Sequence, residues 1–382
     1  MKRVAICTLF HKNYNYGGIL QGLALQNVLR DMGLDAYLVT YNDKINKNPI
    51  YTTLLSRCTQ YSFIEIYCKI KEMLTATIHS EIKAKIKPRI ELFDKFISNN
   101  FHVTDLYSDD SLSLLEKEFD VIISGSDQVW NPNAVRKLYL QDFSVSNGTK
   151  KIAYAASISR NRLSNKEAKI MIPCIEKFDA IGVREKTASN ILDSFGIKDA
   201  KTVLDPTMLL SVDEWNNVVA PCVITEPYVL VYSFSDCPFK DSLSDFYIKR
   251  NMKVVFIPYA KQEYNSFDNN CDLIPMWNVG PAEFLSLIKY SEFVYTDSFH
   301  GSVFSILFNK QFAVYERDKS GTTSKNSRMY DLLSVFGLDS RMIRDDHKKV
   351  LENKVDFSNV NEILEKKRIE SWTWLKNAVD SQ

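Results

Sequence analysis

Short apolar runs, each closed by a polar or glycine-containing junction and followed by an apolar-periodic helix, recur along this chain. Val4 to Leu9 is the first. Gly17-Gly18 then opens a helix with apolar positions at Leu20, Leu23, Leu25, Val28 and Leu29, ending near Gly33. Ala36 to Thr40 is the next strand. Such a start implies a parallel sheet, because the crossover helix returns the chain to the same end of the sheet. Asp120 to Ser124, Ile152 to Ala156 and Ala180 to Val183 read as further strands, the last followed by a helix over Lys186 to Phe195. After Asp205-Pro206 the series restarts. Strands at Tyr228 to Phe234 and Val254 to Pro258 flank a helix near 239–251. A helix over Pro281 to Tyr290, a strand over Phe293 to Thr296, a helix from Gly301 and a strand over Phe312 to Tyr315 follow. Met329 to Phe336 is helical, and a last helix runs from about Val360 to Val379.

At 382 residues two domains are expected. The pattern places an N-terminal α/β domain at 1–210, with a basic helical insertion near 54–97. A second α/β domain follows at 211–355, then a C-terminal helix at 356–382 that can pack back on the first. Two such domains would face each other across a cleft, with ligands beyond the carboxyl ends of the strands. Asn13 to Gly18, Ser124 to Gln128, Arg184 and Asp297 to Gly301 all follow strand candidates. Asp105 to Asp110 lacks a calcium-loop pattern and reads as a solvated loop.

A net charge of +1 gives no general field for nucleic acid. The cysteines, at 7, 58, 68, 174, 222, 237 and 271, are odd in number and form no C-x-x-C pair. They read as ordinary thiols of a reducing cytoplasm. The first ten residues read as a strand and not as a signal peptide. No apolar run approaches the roughly 20 residues that span a bilayer. His11, His79, His102 and His347 lack ligand spacing, so no metal site is expected.

The candidate chemistry lies at the junctions. In Val294-Tyr-Thr-Asp-Ser-Phe-His300-Gly-Ser-Val-Phe304 a strand turns sharply into a helix. Helix starts favour anions, and a side chain that titrates near neutral pH beside one suits acid–base work on a phosphate or carboxylate. The alternative is a buried His satisfying a helix cap. In Ser124-Gly-Ser-Asp-Gln-Val-Trp130, Asp127 reads either as a group that holds or deprotonates a sugar hydroxyl or as a helix cap. Arg184 reads either as a fork for carboxylate or phosphate or as the partner of a neighbouring acid. Asn13-Tyr-Asn-Tyr-Gly-Gly18 allows close backbone approach to a ligand, and serves equally as a structural turn. The stretch Ile66 to Ile90 carries Lys69, Lys71, Lys83, Lys85, Lys87 and Arg89, which suits either a solvated helix face or an anionic membrane surface.

In this order, the motifs resemble the polysaccharide pyruvyl transferase family. The matching pieces are Asn15-Tyr16-Gly17 with Leu20-Gln21 and Ala24-Leu25-Gln26, Gly125-Ser-Asp-Gln-Val-Trp-Asn131, Ile152-Ala-Tyr-Ala-Ala-Ser157 and Val183-Arg184-Glu185. Leu204-Asp-Pro206, Asp297-Ser-Phe-His-Gly301, Arg328, Leu332-Leu333, Gly337-Leu338 and Arg341 complete the set. The resemblance implies a fold like that of the B-type glycosyltransferases and transfer of a pyruvyl group from phosphoenolpyruvate to a sugar as a ketal. It assigns donor binding to Arg184, Ser298, Phe299, His300, Gly301 and Arg328. Acceptor binding falls to Asn15, Tyr16, Gly17, Gly18, Gln21, Ser126, Asp127 and Gln128. His300, Asp127 and Arg184 are the expected catalytic residues, and Asp297 either orients His300 or caps its helix.

The expected partners are phosphoenolpyruvate, with no further cofactor, and a galactose- or mannose-type hexose of a lipid-linked saccharide in surface polysaccharide assembly (capsule or exopolysaccharide). A cytoplasmic enzyme of this kind would need peripheral contact at the inner face of the membrane, through the basic 66–90 segment or Trp372 and Trp374. A nucleotide-sugar glycosyltransferase and a non-catalytic saccharide-binding protein are the competing readings.

Overall fold

The computed structural model describes residues 1–42, 76–143, 148–235, 237, 239–258, 273–317, 326–344, 350 and 352–381. Two parallel sheets organise them. The first contains β1 (Arg3–Cys7), β2 (Asp35–Tyr41), β3 (Val103–Tyr107), β4 (Val121–Ser124), β5 (Lys150–Ala156), β6 (Ala180–Val183) and β7 (Lys201–Thr202), in the order β3-β2-β1-β4-β5-β6-β7. The second contains β8 (Tyr228–Tyr232), β9 (Lys253–Phe256), β10 (Leu273–Pro275), β11 (Phe293–Thr296) and β12 (Gln311–Val314), in the order β10-β9-β8-β11-β12. These are two Rossmann-like α/β domains, the class expected from the alternating strands and helices. Both sheets reverse direction of growth at one point, between β1 and β4 in the first and between β8 and β11 in the second. Loops diverge at such points and leave a crevice beyond the strand ends.

The strands form because their apolar runs are buried on both faces, as parallel sheets between helix layers require. Val4, Ile6, Val294 and Leu230 are fully buried. Helix α1 (Tyr16–Asp31) starts where Asn15 caps the Gly18 amide. The description of α2 (Ala76–Asn100) begins at Ala76, so residues 54–75 of the expected insertion lie outside the described residues. Val103–Tyr107 is a strand, where a solvated loop was expected to begin at Asp105. It pairs only through β2 at the sheet edge and buries only Tyr107, so no apolar run marked it. Helix α3 (Asn165–Ile175) also escaped the sequence pattern, although Ser164 and Glu167 form a capping box at its start.

One hydrophobic core runs through both domains, joining Val4, Leu20 and Ile152 to Leu230, Val294 and Phe304. Tyr16 crosses the boundary. Its ring stacks on Phe284 at 4.4 Å and its hydroxyl donates to the Val279 carbonyl at 2.8 Å. Arg89 of α2 clamps the same boundary by donating to the carbonyls of Trp277, Pro258 and Met276 at 2.9, 2.7 and 3.2 Å. The C-terminal helix, α9 (Phe357–Asp380), packs back on the first domain. Its Ser371 hydroxyl accepts from the Leu204 amide, and Trp374 lies against Gly182 of β6, where a Cβ would stand 2.9 Å from the indole.

Candidate active site

The two switch points face each other, and their loops meet around Asp205. This residue follows the short edge strand β7 and caps the turn at Pro206–Met208. Its Oδ1 accepts from the Thr207 amide and hydroxyl at 3.0 and 2.6 Å. Its Oδ2 accepts from Ser126 Oγ at 2.7 Å and Arg184 Nη1 at 3.0 Å, and lies 3.5 Å from His300 Nε2. Burial works to raise this carboxyl. The His300 ring, Arg184 and the Thr207 hydroxyl outweigh it and hold Asp205 well below the ordinary carboxylate range. The carboxylate beside His300 is therefore Asp205, not Asp297.

Asp297 neither orients His300 nor caps its helix. It accepts from the amides of Phe234 and Ser235 at 2.8 and 2.9 Å and pairs with Arg317 at 3.3 Å. Ser298 is the cap of α7 (Phe299–Leu307), accepting from the Gly301 amide, so its oxygen serves the helix. Gly301 is a packing glycine. A Cβ there would stand 2.5 Å from Thr296 Oγ1 and 3.2 Å from Tyr232. Both were expected at the donor; both shape the turn that presents His300.

Of the two readings of Arg184, the pairing with neighbouring acids is the one observed. Nε pairs with Glu185 at 3.2 Å and Nη1 with Asp205, while buried Nη2 has no partner among the described residues. The guanidinium lies 4.0 Å over the ring of Phe299, so Phe299 acts as its platform. Burial pushes the Glu185 carboxyl up, opposed by Arg184 and the Ser157 hydroxyl, which donates to Oε1 at 2.5 Å. Arg328, on α8 (Ser327–Val335), comes from the second domain to the same place. Gln128, with its amide oxygen turned toward Arg328, accepts from both terminal nitrogens of the guanidinium. Burial and the nearby Arg317 and Arg184 push Arg328 down to about 9, which leaves it a cation at neutral pH. Arg328 Nε, Arg184 Nη2, Glu185 Oε2 and His300 Nε2 are all buried and lack hydrogen-bond partners among the described residues. Buried polar atoms in this state cost about 1–3 kcal/mol each, and a polar ligand at this cluster would relieve that cost.

Asp127 does not cap a helix. It adopts φ 70° in the loop after β4, a left-handed conformation that Asp tolerates better than most residues, and its carbonyl accepts from Ser157 and Val129. The segment opposite, Asn13 to Gly18, which runs into the first turn of α1, is packed tightly: a Cβ at Gly17 would lie 1.9 Å from His300 Nδ1, and one at Gly18 3.5 Å from Asp127 Oδ2. Gln21 is fully buried behind that segment and donates to Thr8 Oγ1 and the Gly18 carbonyl. Its Nε2 holds the segment, while its Oε1 is buried with no hydrogen-bond partner among the described residues. Asn15 caps α1, Ser126 serves Asp205, and Tyr16 is committed to the interdomain core. Among the expected acceptor residues, Asp127 and Gln128 face the ionic cluster and the glycines allow its approach.

Of the features considered for a membrane surface, residues 66–75 lie outside the described residues. Arg89 is buried as the interdomain clamp, and Trp374 packs on Gly182. Trp372 is 37% exposed. No described helix is long and apolar enough to cross a membrane.

Solved structures resemble the chain at low identity. A UDP-GlcNAc 2-epimerase from Methanocaldococcus jannaschii, in complex with UDP-GlcNAc and UDP, shares 15% identity with a TM-score of 0.47, over 96% of this chain and 93% of that one. One from Neisseria meningitidis bound to UDP-GlcNAc shares 10% with a TM-score of 0.45, over 99% and 97%. A Streptomyces sp. SF2575 glycosyltransferase, SsfS6, shares 11% with a TM-score of 0.40, over 96% of each chain. These likenesses carry no weight for activity. No curated protein matches the chain. The family profile described as polysaccharide pyruvyl transferase matches residues 15–319, a span that begins at the Asn15 cap, ends past Arg317 and takes in Asp127, Arg184, Asp205 and His300. With most of its length and all four of these residues inside that match, the chain belongs to the polysaccharide pyruvyl transferase family.

Proposed function

We propose that this chain transfers the pyruvyl group of phosphoenolpyruvate to two hydroxyls of a hexose, forming a ketal on a lipid-linked saccharide in surface polysaccharide assembly. The observation that carries this reading is the pair of buried guanidiniums, Arg184 and Arg328, each with a nitrogen lacking a partner among the described residues, in the ionic cluster that also holds Asp205 next to His300. Phosphoenolpyruvate carries a carboxylate and a phosphate. Two guanidiniums and the start of α7 supply the cationic and N–H partners that such a ligand needs.

In the proposed reaction His300, as imidazolium, gives its proton to the methylene carbon, and positive charge develops on the central carbon. The Asp205 carboxylate balances the imidazolium before transfer and holds the ring in place. A sugar hydroxyl adds to the central carbon and its proton passes to Asp127. The C–O bond to phosphate then breaks, with Arg184 and Arg328 stabilising the departing charge. The second hydroxyl adds to the same carbon and its proton returns to the site. One proton is then on the new methyl group, one leaves with phosphate as hydrogen phosphate, and the ketal keeps its carboxylate.

The test is phosphate release from phosphoenolpyruvate by the purified protein, with and without galactosides and mannosides, including lipid-linked ones. Acceptor-dependent release together with a ketal product by mass spectrometry is the expected result. Turnover of a nucleotide sugar with no use of phosphoenolpyruvate would replace this reading by a glycosyltransferase.

A further inference from the structure

Glu185 holds a buried carboxyl that the proposed reaction leaves without a role. It stands at the N-cap of the helix Lys186–Ser194, where the first amides favour a negative charge, yet its side chain makes no capping bond. The carboxyl turns instead into the ionic cluster. Oε1 accepts from Ser157 Oγ at 2.5 Å and from Arg184 Nε at 3.2 Å. Oε2 is buried and has no partner among the described residues. The strand that brings Ser157 is itself distorted. Fully buried Ala155 takes φ 55° where the pairing of β5 with β6 shifts register, two residues before Ser157.

We propose that Glu185 is the acid of the second half of the reaction, with Oε2 carrying the proton that leaves with phosphate. The proposal rests on the pyruvyl-transfer reading for the donor. After the first hydroxyl has added, the central carbon bears a phosphate ester dianion and His300 has already given its proton to the methyl group. Glu185 protonates the bridging oxygen as the C–O bond breaks and its electron pair stays on that oxygen. Phosphate departs as hydrogen phosphate, and the central carbon becomes an oxocarbenium ion. The second hydroxyl adds there and its proton goes to the Glu185 carboxylate. The proton of the first hydroxyl, held by Asp127, restores the imidazolium. Both acids are regenerated in each turnover, and no further reactant is consumed.

Charge separates this carboxyl from its neighbour. Asp205 is held as a carboxylate by His300, Arg184 and the Thr207 hydroxyl. Burial pushes Glu185 the other way, up from the ordinary carboxylate range, against Arg184, the Ser157 hydroxyl and Arg328. The charged groups around it are Arg184 at its own strand end, Arg328 and Asp331 on α8, and Asp205 and Asp127 beyond the Arg184 guanidinium. Phosphoenolpyruvate brings a carboxylate and a phosphate dianion to the same guanidiniums. Their charge is then shared with the ligand, and Glu185 takes up a proton as the donor binds.

The experiment compares wild type, Glu185→Gln and Ser157→Ala. Glutamine keeps the size of the side chain and an acceptor oxygen for Ser157, and has no acid proton to give. Calorimetry of phosphoenolpyruvate binding near neutral pH, in buffers of low and high ionisation enthalpy, counts the protons taken up. Wild type is expected to take up about one proton more than Glu185→Gln. In Glu185→Gln, kcat for acceptor-dependent phosphate release falls by roughly 10² to 10⁴. Its donor affinity is kept or improved, because a negative charge beside the donor has gone. A merely structural role would weaken binding and turnover together. The acid form is lost as pH rises, so wild-type kcat falls on the alkaline side. Ser157→Ala removes a hydroxyl that stabilises the carboxylate, and that fall moves to higher pH.

Near-normal turnover in folded Glu185→Gln, or equal proton uptake by the two proteins, overturns the role of Glu185 and leaves pyruvyl transfer standing. If Glu185→Gln does not fold, an alkaline fall that Ser157→Ala leaves unmoved overturns it. A wild type that neither binds nor uses phosphoenolpyruvate fails the pyruvyl-transfer reading itself, and the role of Glu185 falls with it.

Discussion

The His300 ring of the second domain occupies the space where any residue but glycine at position 17 of the first domain would place its Cβ, 1.9 Å from Nδ1. The catalytic candidate is thus seated against the other domain's backbone, and the two sheets are joined at their switch points through a missing side chain. Gly17→Ala should displace the imidazole or the loop. The expected outcome is a folded protein whose phosphate release falls by at least about 100-fold, since small misplacements of reacting groups carry such losses. Circular dichroism beside turnover checks it.

His300→Ala tests the proton donor directly. General acid–base groups contribute roughly 10² to 10⁴ in rate, and kcat should drop by that factor with phosphoenolpyruvate affinity largely kept. Near-normal turnover in a folded His300→Ala protein would remove His300 from the chemistry.

Asp205→Asn breaks the hub of the cluster. Removing one partner of a buried ion pair costs about 3–5 kcal/mol. The folded carboxyl sits well below its ordinary value of 3.8, so its stabilisation is complete above that value and is lost only as pH falls through the lower folded one. The stability gap between wild type and variant in urea should therefore not narrow from pH 7 to 5 and should narrow only in stronger acid. A gap that closes already between pH 7 and 5 would contradict the arrangement.

Arg328→Met should separate stability from function. Burial and two neighbouring guanidiniums already disfavour the charge, so replacing it by an apolar chain should be neutral or stabilising by about 1 kcal/mol without ligand. Donor affinity should fall by about 2–5 kcal/mol, the usual cost of truncating a buried charge partner. Thermal shift with and without phosphoenolpyruvate reads both effects: the variant should melt at or above wild type alone and gain nothing from the donor.

Arg89→Met removes the guanidinium that joins α2 to the second domain. Three carbonyls lose their donor, each at about 1–3 kcal/mol. A Tm lower by several degrees is expected, and an unchanged Tm would show that the boundary is held by Tyr16 and the shared core alone.

Periodicity in the chain was enough to read the strands at Val4, Asp120, Ile152, Tyr228 and Phe293, because a strand buried on both faces must be a short continuous apolar run. The junctions after those strands could be read as sites for the same reason: parallel sheets leave their loops, and hence their polar chemistry, at the carboxyl ends. Which side chains meet there could not be read. Ser126 reaches Asp205 across 79 residues, and the matching piece Leu204-Asp-Pro206 marks Asp205 without showing its partners. Asp297, adjacent in sequence to the helix of His300, instead serves the Phe234–Ser235 loop. Gln21, Ser298 and Gly301 carry the motif yet hold the backbone in shape, because buried amides and close helix packing need them first. Sequence by itself determined the parallel architecture and the family. The tertiary structure decided the partners of His300, since the contacts that set a charge's neighbours depend on how two switch points face each other and not on order along the chain.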